Sequence, residues 1–103
     1  MRGLLIAFFI LFTPSVFAEI IQFKDGNGAI YQVDSNVKIE ARGISSRLRW
    51  PNNIVDRILV SGCSEGRGTL WVDVKGKWAS PAEWARSGDR VIDQTARAVC
   101  DSK

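Results

Sequence analysis

From Ile20 onward the apolar positions fall into short runs, most of them alternating with polar residues and broken by turn-forming clusters. Ile20-Ile21-Gln22-Phe23-Lys24 and Ala29-Ile30-Tyr31-Gln32-Val33 flank Asp25-Gly26-Asn27-Gly28, whose Asp-Gly and Asn-Gly pairs tolerate the positive φ angles of a tight hairpin. Val37-Lys38-Ile39-Glu40-Ala41 alternates strictly, which predicts a strand with Val37, Ile39 and Ala41 toward the core and Lys38 and Glu40 toward solvent. In Arg47-Leu48-Arg49-Trp50 an extended backbone puts Leu48 and Trp50 on one face and the two arginines on the other. Pro51 ends that run. The stretch Ile58–Val74 reads as a hairpin with a glycine-rich bend, its outgoing arm carrying Leu70, Val72 and Val74 on one face and Thr69, Trp71 and Asp73 on the other.

After the Lys75-Gly76-Lys77 turn the pattern changes period. Ser80-Pro81-Ala82-Glu83 has the form of a capping box with proline at the first helical position, which predicts a short helix carrying Trp84 and stopping near Ser87-Gly88. Asp89 or Ser87 then caps a second helical stretch from Arg90 to Cys100. There Ile92, Thr95, Ala96, Val99 and Cys100 fall on one side and Arg90, Asp93, Gln94, Arg97 and Asp101 on the other. The expected fold class is α+β: a small antiparallel sheet of about five or six strands packed on one face by one or two short C-terminal helices.

The N-terminus changes the picture from a fold to a compartment. Met1-Arg2, the apolar run Gly3–Phe12, the break at Thr13-Pro14-Ser15 and the small-residue site Val16-Phe17-Ala18 read as a secretory signal peptide, residues 1–18, cut after Ala18. Its apolar run is shorter than the roughly 20 residues that span a bilayer, so no membrane span is expected in the mature form. What remains, residues 19–103, is a single exported domain of roughly 85 residues, which buries only about 60 to 65% of the surface its unfolded chain exposes. In an oxidising compartment the two cysteines, Cys63 and Cys100, are expected to form a disulfide that ties the hairpin bend to the terminal helix.

The formal net charge of +3 includes Arg2 of the leader and is too mild to point to a polyanion, so no nucleic-acid partner is expected. Histidine is absent, which removes the usual general base and the commonest metal ligand. Gly62-Cys63-Ser64-Glu65-Gly66 matches the Gly-x-Ser-x-Gly nucleophile elbow by letter, but a serine without a base, outside a strand-to-helix turn, is turn chemistry. Ser35 and Lys38 share the Ser-x-x-Lys spacing of acyl enzymes without any companion motif. Neither metal nor cofactor is expected.

The remaining signal is aromatic and basic, with four tryptophans among numerous arginines, the residue types enriched in binding hot spots. Arg47, Arg49, Trp50, Lys77 and Trp78 are the candidate binding residues. At least two of Trp50, Trp71 and Trp84 are expected in the core, and Trp78 is the most exposed. The expected function is that of a small exported, non-enzymatic binding protein of the periplasm or cell surface, of inhibitor or immunity type, with a protein or cell-wall glycan as partner. A small carboxylate-based envelope hydrolase or a structural envelope component is the alternative.

Overall fold

The structure is a computed structural model and describes residues 19–103; the expected signal peptide, residues 1–18, lies outside them. Seven strands and one helix follow in order: β1 (Ile20–Lys24), β2 (Ile30–Asp34), β3 (Lys38–Ile39), β4 (Ile44–Arg49), β5 (Val55–Val60), β6 (Arg67–Val74), β7 (Lys77–Ala85) and α1 (Val91–Cys100). Every pairing is antiparallel, in the order β1-β2-β4-β5-β6-β7. The two-residue β3 lies beside the first half of β4 and β2 beside its second half, so the sheet is a meander with a break between β2 and β3. No described helix is long and apolar enough to cross a membrane.

Each hairpin closes on the chemistry its turn offers. Asp25 accepts the N–H groups of Asn27 and Ala29 at 2.8 and 3.0 Å, which spends its carboxylate inside the β1–β2 turn. Lys75 and Gly76 both have positive φ, the requirement of the type I′ turn that matches strand twist. At the β5–β6 bend Gly62 (φ 87°) faces the Arg67 carbonyl and Gly68 faces the Ser61 carbonyl, each so closely that a Cβ at either glycine would occupy the other strand's backbone. Ser64 is exposed there and donates to the adjacent Glu65.

One face of the sheet is covered. Val33, Ile44, Leu48, Ile58, Val60, Leu70 and Trp84 pack with Ala96, Val99 and Cys100 of α1 in a single core. Cys63 and Cys100 are disulfide-bonded with Cα atoms 5.5 Å apart, joining the hairpin bend to the end of the helix.

Three expectations are corrected. Residues 80–85 are not helical: Ser80-Pro81-Ala82-Glu83 lies inside β7, with a register irregularity opposite Leu70–Val72 and Ser80 at φ 53°. A helix cap is worth only about 1 kcal/mol. Strand pairing continues the tight Lys75-Gly76 hairpin, and it places Trp84, 2% exposed, over Gly68 with its indole N–H donating to the Ser61 carbonyl at 2.9 Å. Pro81 is tolerated because β7 is an edge strand. The second correction is Ile39, 69% exposed, together with Ala41, also exposed, rather than in the core: β3 is too short and too far to one side for α1 to cover them.

The third is Asp93, placed outward by helical spacing but only 1% exposed. It accepts the Ala85 N–H at 2.8 Å, the Arg90 backbone N–H at 3.1 Å and the Arg90 guanidinium at 2.8 and 3.0 Å. These donors, the Arg90 side chain foremost, hold its pKa down at about 2 despite the opposing effect of burial. The helix N-cap is therefore Arg90, not Asp89 or Ser87, and it is capped by Asp93 reaching back. Gly88 serves this site as well as ending a turn, since a Cβ there would fall on the Asp93 carboxyl group.

Candidate functional site: the uncovered sheet face

Strand alternation leaves the face opposite α1 to a second set of side chains. The registers line several of them up across the sheet: Ile20 opposite Asp34, Arg47 opposite Arg57, and Asp73 opposite Trp78. Salt bridges join these pairs into one row. Arg47 contacts Asp34 at 2.8 Å, and Arg57 contacts Asp73 at 3.0 Å and Glu40 at 3.5 Å. Arg57 also lies over the Trp78 ring, 5.0 Å from its centroid, while Arg42 lies over Trp71 at 5.4 Å. A guanidinium stacked on an aromatic ring is held flat and keeps in-plane donors free at its edge.

The arginines are presented differently. Arg47 has a side chain 62% exposed, anchored on an Asp34 side chain that is only 9% exposed. Asp34 itself accepts the Asn36 N–H at 2.9 Å, and Ser46 donates to its backbone carbonyl, so the anchor is fixed. Arg49 sits between Gln32 and Val55 in the register and makes no salt bridge among the described residues. Together with Ile20, Gln32, Asp34, Arg47 and Val55 it lines a surface groove of about 370 Å³. Ile20 and Val55 are exposed, so the groove combines free guanidinium donors with bare apolar surface. Leu59, on the same face, is fully buried yet lies outside the main core, opposite both Ser45 and Trp71.

Of the five candidate binding residues, the structure gathers Arg47, Arg49 and Trp78 on this face and sets the other two apart. Trp50 lies on the helix side, half-buried against the core, its indole N–H donating to Asp56 at 2.7 Å. Lys77 begins β7 opposite Val74, exposed, and alternation turns it away from Trp78. Trp78, expected to be the most exposed tryptophan, is half-buried beneath Arg57. Sequence reasoning missed the acids Asp34, Glu40 and Asp73 and the stacked Arg42. Asp73 was legible as a neighbour of Trp71, but only the strand registers reveal that it faces Arg57.

A second groove, of about 380 Å³, lies at the other end of β6 and brings Glu65 and Glu83 together with Arg67 and Thr69. Both glutamates are exposed, without the desolvation a catalytic carboxylate draws on. Among the described residues no group of three or more acids, cysteines or histidines is arranged to hold a metal ion. Neither a protein-family model, nor a curated protein, nor a solved structure matches the chain.

Proposed function

We propose that this is a small exported, non-enzymatic binding protein of the periplasm or cell surface, and that the uncovered sheet face engages a protein partner carrying exposed carboxylates. The observation that carries the reading is the row Asp34–Arg47–Arg57–Asp73–Trp78, in which two arginines stand side by side on the sheet face opposite α1. Exposed ion pairs contribute only about 0 to 1 kcal/mol each, and like charges directly opposite each other oppose folding, so the row is a weak device for stability. It is a good one for recognition, because stacked and anchored guanidinium groups lose little freedom on meeting a carboxylate. A sheet face with Ile20 and Val55 exposed beside Arg49 suits a protein surface better than a glycan chain, which calls for a cleft lined by aromatic rings. The acids of the row each accept from an arginine, which favours binding over a carboxylate-based hydrolase.

The test is retention of envelope proteins by the immobilised, disulfide-intact protein. Wild type is expected to hold a defined protein that Arg47→Ala/Arg49→Ala releases at least tenfold more readily, while Lys103→Ala retains it. Equal retention by the double variant, or retention of glycan in place of protein, overturns the reading.

A further inference from the structure

We infer that the space between the first turns of α1 and the sheet is a binding site for a neutral aromatic small molecule of one or two rings. At ten residues α1 is about 15 Å long, and its C-terminal end is drawn onto the sheet by the Cys63–Cys100 bond. Toward its N-terminal end the packing is incomplete. A cavity of about 310 Å³ remains there, lined among others by Tyr31, Trp50, Val72, Ala82, Ile92 and Thr95. Tyr31, Trp50, Val72 and Ile92 are accordingly only partly buried, though they border the core.

The lining is apolar because its polar atoms are engaged elsewhere. Trp50 donates to Asp56, the Thr95 hydroxyl donates back to the Val91 carbonyl at 2.8 Å, and the Tyr31 hydroxyl points to Asp25 at 3.5 Å. The exception is Ser80, at the rim, whose hydroxyl has no partner among the described residues and which the positive φ of the β7 irregularity places there. Tyr31 and Trp50 line one side, edge-on to each other at 6.0 Å, and behind them Phe23, outside the lining, stacks on Tyr31 at 5.4 Å, so the three rings form one aromatic series. A further ring extends that series with the offset or edge contacts that aromatic rings favour. An apolar cavity of about 150 Å³ takes up benzene, so roughly twice that volume suits one or two rings, and a single polar edge would meet Ser80.

The site lies on the opposite side of the sheet from the arginine row and is tested separately from it. Indole is titrated into the disulfide-intact protein purified from cells expressing the full chain, followed by ¹H–¹⁵N NMR, with 1-octanol as an aliphatic comparator. The expected result is saturable binding, at least tenfold tighter for indole than for octanol, with shifts of the Trp50 indole N–H and the Ile92 and Thr95 amides and none at Trp71 or Trp78. Ala82→Phe, which fills the cavity, is expected to weaken binding at least tenfold, and Lys103→Ala, outside the cavity lining, to leave it unchanged. Absence of saturation, preference for octanol, or shifts centred on Trp71 and Trp78 would overturn the inference. The wild-type shift pattern decides the matter even if Ala82→Phe fails to fold.

Discussion

Arg47 and Arg57 face each other directly across β4 and β5; Arg47 pairs with Asp34 on its far side, and Arg57 with Asp73 on its far side as well as with Glu40. The two cations are therefore neighbours that each pair with carboxylates and not with each other. In a double-mutant cycle with Arg47→Thr and Arg57→Thr, unfolding in urea should give a repulsive coupling of about 0.5 kcal/mol, the double variant being less stable than the singles add up to because each single already relieves the repulsion. Attractive coupling would show that the pair is a structural element after all.

Asp93 ties the helix start to the end of β7, and its pKa gives the pH dependence a sign. The group titrates at about 2 when folded against an ordinary value of 3.8. Its contribution is therefore complete above about pH 4 and is lost as pH falls through about 2; a shift of this size corresponds to about 2 kcal/mol. Asp93→Asn should lower stability at pH 7 by about 2 kcal/mol and flatten the decline of the urea midpoint between pH 4 and pH 2. Gly88→Ala should cost a comparable amount by displacing the same carboxylate. A steep acid transition retained in Asp93→Asn would place the responsible group elsewhere.

The Cys63–Cys100 bond closes a loop with a sequence separation of 37. The chain-entropy model assigns such a loop about 4 kcal/mol, of which real proteins often realise less. Reduction, or the Cys63→Ser/Cys100→Ser pair, should lower the denaturant midpoint in proportion, and an unchanged midpoint on reduction would show that packing alone holds α1.

Trp84 is both the largest buried side chain and a hydrogen-bond donor to the Ser61 carbonyl. Trp84→Ala should cost about 3 to 5 kcal/mol and Trp84→Phe about 1 to 2 kcal/mol. Thermal unfolding followed by far-UV circular dichroism separates the two.

Most of the fold was legible because strand alternation and turn chemistry are local. Asp25–Gly28, Lys75-Gly76 and the Gly62–Gly68 bend announce their hairpins, and Ile92, Thr95, Ala96, Val99 and Cys100 announce the helix. The segment from Ser80 to Ala85 was misread because its capping signal is also local, while what decides its state is long-range: pairing with β6 and the Trp84 bond to Ser61. Asp93 was misread for the same reason, since its partner Ala85 belongs to another element. At the candidate site alternation separated Arg47 and Arg49 from Leu48, but the row they join depends on registers between four further strands, and Trp50 fell to the other face.

The uncovered face is tested most directly by a photo-crosslinking residue placed at Val55, inside the arginine groove, and compared with one at Asp101 beyond α1, in cells expressing the full chain. A discrete protein adduct is expected from position 55 that Arg47→Ala/Arg49→Ala diminishes at least tenfold, and none from position 101. Equal adducts from both positions, or none from position 55, would contradict binding by this face.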